Sequence, residues 1–415
     1  MKGDYIEKIK SIVNNRENIY FLLLLLLLVF LSKGYHFSSN MIVVICVFYL
    51  IDKNLKEKIK RIDIKLYLPF VLVFVIHLIG ILYSDNTQKA ISGVIARLSF
   101  ILLPPIILSE LISKKKLYKL LLLLKYYLLF FAIFLIIIQT FFIQYSLWKL
   151  TYIALRSVTG IHHMYFSQFY ILVLLFVLHQ LNERKIRIGL AIFEIAMTLF
   201  FIWILGAAPS MFFSLLFVLI ATFIHNKSWF YRFLIFILLI GSIFSMRNTI
   251  IFENKINKVT QIEFNINKNI KKYQQDLSAF GTSNTLEMRL VKWHVALKIF
   301  RTNFWTGVGS GDYQDSLNKG YVKIKFANAI KYKYNTHNQY LEEGLKFGIW
   351  GVLLLLYFFA NPLFLAYKER NWMLFAIVVY IVSIAVIESL FVRLHGVVFF
   401  SVVIPLLYVY GKKKD

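Results

Sequence analysis

Apolar runs dominate this chain, and polar residues come in short bursts between them. Stretches such as "FLLLLLLLVFL" (21–31) and "LLFFAIFLIIIQTFFI" (128–143) recur along nearly the whole length. Runs of that length suit a hydrocarbon core of about 30 Å, which an α-helix crosses in about 20 residues. The pattern predicts an all-α integral membrane protein with about 12 transmembrane helices. They fall near 18–34, 39–51, 66–83, 92–112, 118–142, 164–182, 188–206, 210–225, 232–247, 348–367, 372–389 and 395–411. Alternate connectors are basic: "DKNLKEKIKRIDIK" (52–65), "KKKLYK" (114–119), "ERKIR" (183–187), "KER" (368–370) and the tail "KKKD" (412–415). Their counterparts "SDNTQ" (84–88) and "GAAP" (206–209) carry little or no positive charge. Basic connectors stay in the cytoplasm, so both termini are expected there. The opening "MKGDYIEKIKSIVNNRE" is too long and too mixed in charge to read as a secretory signal.

One connector departs from the pattern. Residues 248–347 are polar and net basic, and the span count places them outside as one large loop between spans 9 and 10. The chain thus divides into an N-terminal membrane bundle (1–247), the external loop (248–347) and a C-terminal bundle (348–415). Within the loop, Leu290, Trp293, Ala296, Leu297 and Phe300 recur at three and four and predict an amphipathic helix, which "GVGSG" (307–311) ends. Arg289 lies near that helix's start, where it could clamp a phosphate or simply pair with Glu287. Further on, Thr336 and Gln339 have capping-box spacing, so a helix is expected to begin at "THNQ" with His337 in its first turn. A histidine there suits a neutral general base, or a structural hydrogen bond. The glycines of "FGIWG" (347–351) would allow close packing at the membrane entry.

Composition narrows the classes. The chain of 415 residues is 59% hydrophobic and only 16% charged, with a mean hydropathy of +0.67, against about 25% charged in soluble proteins. The net charge of +26 sits in clusters between spans, which is an orientation pattern and not a nucleic-acid surface. Cys46 is the single cysteine, so neither an intramolecular disulfide nor a cysteine metal site can form. His162 and His163 are adjacent, while His294 and His395 are isolated, and no HExxH or phosphate-loop motif occurs. Neither a metal site nor a cofactor is expected. No internal repeat of the kind found in transporters is visible, although a lipid-glycan or polysaccharide transporter is the rival from another class. Among ionisable residues in or near spans, Arg97, Glu388 and Arg393 stand out. Arg97 and Arg393 could snorkel at the interface, and Glu388 could contact substrate or pair structurally.

Several motifs occur in order: Arg289, Trp293 and Ala296 as R-x3-W-x2-A, then "TGVG" (306–309), "THNQYL" (336–341) and "FGIWG" (347–351). With "YSDN" (83–86), "RLSFILLPPIIL" (97–108), "TGIHHMYFSQF" (159–169) and "ESLFVRLHGVVFF" (388–400), the set resembles the O-antigen ligase/polymerase superfamily. The resemblance implies a C-type glycosyltransferase of the bacterial inner membrane, inverting and metal-independent, with the large loop periplasmic. Its donor would be a glycan on undecaprenyl diphosphate. Its acceptor would be a sugar hydroxyl of lipid A–core in a ligase, or of another glycan repeat in a polymerase. By the same resemblance, His337 is the base and Arg289 grips the diphosphate. His163, Asn338, Glu388, Arg97, Arg156 and Arg393 join them as substrate-binding candidates. Two features depart from the pattern. Pro209 and Ser210 stand where ligases carry a cation, leaving Arg97, Arg156 or Arg393 to supply the charge, and Lys346 stands where an acidic residue is usual.

Overall fold

The computed structural model describes residues 2–32, 35–51, 55–109, 111–141, 160–225, 262–275 and 285–412. All regular elements among them are helical. In chain order they are α1 (Lys2–Leu31), α2 (Tyr35–Ile51), α3 (Leu55–Arg61), α4 (Ile64–Leu82), α5 (Thr87–Ala96), α6 (Leu98–Leu108) and α7 (Lys114–Phe141). Then follow α8 (His163–Asn182), α9 (Ile188–Leu205), α10 (Ala208–His225), α11 (Ile266–Gln275), α12 (Thr285–Thr302), α13 (Tyr313–Lys323) and α14 (Ala327–Tyr332). Last come α15 (Gln339–Lys368), α16 (Trp372–Ala385), a 3-10 turn (Leu390–Val392) and α17 (Leu394–Gly411).

The expected all-helical membrane architecture holds, with a coarser span count. Among the described residues seven helical segments are long and apolar enough to cross a membrane, or eight if Phe37–Ile51 and Leu55–Arg61, bent by 111°, form one span. Two shorter apolar helices, Ala208–Phe223 and Trp372–Ala385, match further expected spans. The span expected at 232–247 lies outside the described residues. Large apolar side chains such as Phe130, Ile192, Phe212 and Phe364 are exposed on the bundle exterior, as lipid contact requires. By contrast α8 and α17 are buried almost all round, in the middle of the bundle. Rings of Phe70, Phe100, Phe358, Phe391 and Phe400 interlock at its centre, with Phe358 and Phe400 centroids 4.7 Å apart.

Helices α11 to α14 form a small unit with its own core of Tyr273, Val291, Val295, Leu317, Tyr321 and Phe326. That core corrects the expected face of α12. Its buried apolar residues are Val291, Val295 and Ala296, whereas Leu297 is exposed, because the helix is rolled toward α13 and not toward the stripe chosen by period alone. The glycine turn seats the unit on the bundle. Gly348, at φ +64°, breaks α15, and Ile349 N–H donates to the Phe304 carbonyl at 2.7 Å. Val308 and Gly309 N–H groups donate to Leu345 and Lys346 carbonyls at 2.8 and 3.1 Å. A side chain at Gly348 would strike the Phe304 carbonyl, so a glycine is required there. On the other side Asp312 accepts from the Asp85 and Asn86 N–H groups at 2.8 and 2.9 Å.

One ion pair lies deep between spans. Lys125 of α7 donates to both oxygens of Glu194 in α9, at 2.9 and 2.8 Å, and to Gln180 of α8 at 3.0 Å. All of its neighbours are satisfied, which marks a structural clasp. Removing one partner would strand a charge, so Lys125→Met should cost about 3–5 kcal/mol. Lys125→Met/Glu194→Leu together should recover most of that loss. Thermal midpoints of detergent-solubilised protein would check this, and a single variant as stable as wild type would contradict it.

Candidate active site

The starts of α8, α15 and α17 and the end of α16 meet at one end of the bundle, beneath the small helical unit. There His337, Arg289 and Glu388 come together from three separate segments. His337 Nδ1 lies 3.2 and 3.3 Å from the two carboxylate oxygens of Glu388, and Arg289 Nη2 lies 3.9 Å from one of them. Glu388 is only 6% exposed. It lies in the non-helical stretch between α16 and the 3-10 turn, not within a span as its place in an apolar run suggested. Arg289 is four residues into α12. Its sequence neighbour Glu287 is engaged by Lys272 and Tyr273 at 2.7 and 2.8 Å, which leaves the guanidinium facing Glu388.

The segment carrying His337 differs from the capping-box expectation. The helix begins at Gln339, and Asn338 is the cap, its side chain accepting from Leu341 N–H at 3.0 Å. Gln339 does not reach back to Thr336. Its amide donates to Glu343 at 2.8 Å and its oxygen accepts from Phe391 N–H at 2.8 Å. His337 therefore precedes the cap, with φ +47°. A non-glycine residue there stores strain of about 1–3 kcal/mol and must be held in place. Trp293 Nε1 donates to the Thr336 carbonyl at 3.0 Å, and Asn335 Oδ1 accepts from His337 N–H at 3.3 Å. The Thr336 hydroxyl donates to the Asn338 carbonyl at 2.9 Å.

Charge at the site follows from burial. Burial pushes the His337 imidazole below its usual range. Lys292 and Arg289 add to this and Glu388 opposes it, so the ring is neutral near pH 7. Burial works to raise the Glu388 carboxyl, but the His337 hydrogen bond and the charges of His337, His162 and Arg289 outweigh it and hold the group at about 2. With Nδ1 fixed by a carboxylate, the other ring nitrogen is set to accept a proton, which is the base-and-orienter arrangement of general-base catalysis.

Other expected residues take different places. Asn338 is buried in its capping role, and Arg393 is exposed at the start of α17. His163 begins α8, its ring 4.2 Å from that of His162, whose charge acts on Glu388. Arg97, at the break between α5 and α6, does not join His337. It is buried, donates to the Gly93 carbonyl at 2.8 Å and lies 3.7 Å from Glu343. Lys346 is likewise internal, bonded to Glu342 and Glu343 at 2.7 and 3.1 Å. In place of the expected cation, the Ser210 hydroxyl meets Ser167 and Tyr380, each at 2.7 Å. Arg156 lies outside the described residues. Sequence reasoning did not single out Lys292, one helical turn beyond Arg289, and that i+3 spacing was the signal available. Lys292 is only 4% exposed, and burial together with Arg289 brings its ammonium down to about 7 against the pull of Glu388.

Residues 195–356 match the family model described as O-Antigen ligase. The match runs from α9 into α15 and includes Arg289, Lys292 and His337, which bears out the resemblance drawn from the motifs. A search of curated proteins found no match.

The depressed Glu388 carboxyl has a pH signature. Its pairing stabilises the fold fully above its ordinary 4.5 and is lost as pH falls toward about 2. The thermal midpoint of wild type should therefore drop more steeply than that of Glu388→Gln on acidification from about pH 5 to about pH 3. The difference should not exceed about 3 kcal/mol. Parallel curves would count against the pairing.

Proposed function

We propose that this protein is an O-antigen ligase-like glycosyltransferase. It moves a glycan from undecaprenyl diphosphate to a sugar hydroxyl of lipid A–core at the outer face of the bacterial inner membrane. The contact of His337 with Glu388 beside Arg289 carries this reading, and His337 and Arg289 both lie within the segment matched by the family model. The charge pattern of the connectors supports cytoplasmic termini and a periplasmic position for residues 248–347, with the site opening on that side.

In this mechanism His337 takes the proton of the acceptor hydroxyl on its free ring nitrogen. The acceptor oxygen bonds to the anomeric carbon from the face opposite the diphosphate, and the bond from that carbon to the diphosphate oxygen breaks. The electron pair leaves on the diphosphate, whose charge Arg289 meets. A diphosphate needs charge stabilisation more than a proton, which suits a guanidinium near a neutral base. Glu388 stabilises the imidazolium as it forms and holds the ring's tautomer. Arg393 and His163, at the same end of the bundle, are proposed glycan contacts. Arg97 is proposed to support the site from below through Glu343.

His337→Ala should reduce transfer by about 10²–10⁴-fold while leaving the protein folded, and Arg289→Ala by about 10²–10³-fold. Transfer by purified protein should run undiminished in EDTA. Wild-type transfer by His337→Ala would rule out the base role. Joining of lipid-linked repeat units by the same family chemistry is the second reading, and a deletion strain separates the two. Lipopolysaccharide without any glycan cap, with long lipid-linked polymer retained, marks a ligase. Lipopolysaccharide carrying a single repeat marks a polymerase.

A further inference from the structure

Arg289 and Lys292 lie one helical turn apart on α12, and both approach the site. The acid within reach, Glu388, is already engaged by His337 at 3.2 Å and by Arg289 at 3.9 Å. Lys292 makes no ion pair among the described residues. Its ammonium is buried over the ring of Tyr334, 5.0 Å from the centroid. An aromatic face offers a buried cation far less than a carboxylate does. The groups around Lys292 are Arg289 on its own helix, Tyr334 and His337 on the segment before α15, and Glu388 after α16. With His337 neutral, this set carries one anion against two basic groups. Deprotonation of Lys292 relieves this excess positive charge.

We propose that Lys292 is a second seat for the leaving diphosphate, beside Arg289, and that it takes up a proton when that anion binds. The proposal rests on the glycosyl-transfer reading and deepens it by naming the group that completes the anion site. Before an anion binds, Lys292 exchanges between charged and neutral forms near neutral pH, consistent with a value of about 7. A bound diphosphate diester favours the charged form, so binding draws a proton from solution. Lys292→Arg keeps a cation at this place but has no proton to gain at that pH.

The test is calorimetric titration of the full-length protein in detergent with a short-chain polyprenyl diphosphate disaccharide. The diphosphate of this probe is a diester and does not titrate near neutrality. Repeating the titration at pH ~7.5 in buffers of different ionisation enthalpy counts the protons taken up. Wild type should bind with net proton uptake. Lys292→Met should bind about 10- to 100-fold more weakly, the worth of a charge-assisted hydrogen bond. Lys292→Arg should bind without uptake, and His337→Gln should retain it. Undiminished binding by Lys292→Met overturns the proposal alone, as does uptake that persists in Lys292→Arg. No binding by wild type overturns both the proposal and the transfer reading. A parallel titration with phosphatidylglycerol in mixed micelles separates a lipid headgroup from the donor. Equal, Lys292-dependent affinity for that monophosphate would overturn the assignment to a diphosphate.

Discussion

The Glu343 carboxylate is the tie between the apolar bundle and the polar chemistry above it. His77 of α4 lies 3.4 Å from it, Arg97 at the α5–α6 break 3.7 Å, and Lys346 of its own helix 3.1 Å. Gln339 donates to the same carboxylate and accepts from Phe391 N–H, in the segment that carries Glu388. Through one buried acid, two spans, the start of α15 and the Glu388 segment are held in register. Such a cluster is costly to bury and holds only if its members stay together. That all-or-none character keeps His337 and Glu388 within hydrogen-bonding distance although 51 residues separate them.

The break at Gly348 does complementary work. A continuous α15 would leave its carbonyls committed to the helix, with none to spare for the glycine turn. Instead, Leu345 and Lys346 carbonyls receive the turn at Val308 and Gly309, and the Ile349 N–H returns a bond to Phe304. The small helical unit thereby rests on backbone contacts that need no particular side chain, and glycine is demanded on both sides of the seam. Rigid support of this kind lets His337 keep a strained backbone at the mouth of the site.

Much of the membrane part was legible because hydrocarbon leaves one signal, the long apolar run, and few ways to read it. His337 and Arg289 stood out as candidates from ordered motifs, and Glu388 as an acid in an apolar stretch. What could not be read was partnership. Thr336 and Asn338 are both capable caps, and the choice fell to Asn338 because Gln339 is taken by Glu343 and Phe391, contacts distant in sequence. Leu297 fitted the helical period, yet the core of the small unit, set by Tyr273, Leu317 and Tyr321, turned α12 the other way. Lys292 looked like one more lysine in a basic loop until its burial beside Arg289 set it apart.

The proposed transfer is a single displacement driven by a neutral His337 against a diphosphate leaving group. The most direct test is the configuration of the new glycosidic bond. Purified protein would be given a polyprenyl diphosphate glycan of known anomeric configuration and its acceptor, and the product bond assigned by NMR. One attack from the face opposite the diphosphate predicts inversion at that carbon. Retention would require two displacements through a covalent glycosyl intermediate, and would contradict the role assigned to His337 and Glu388.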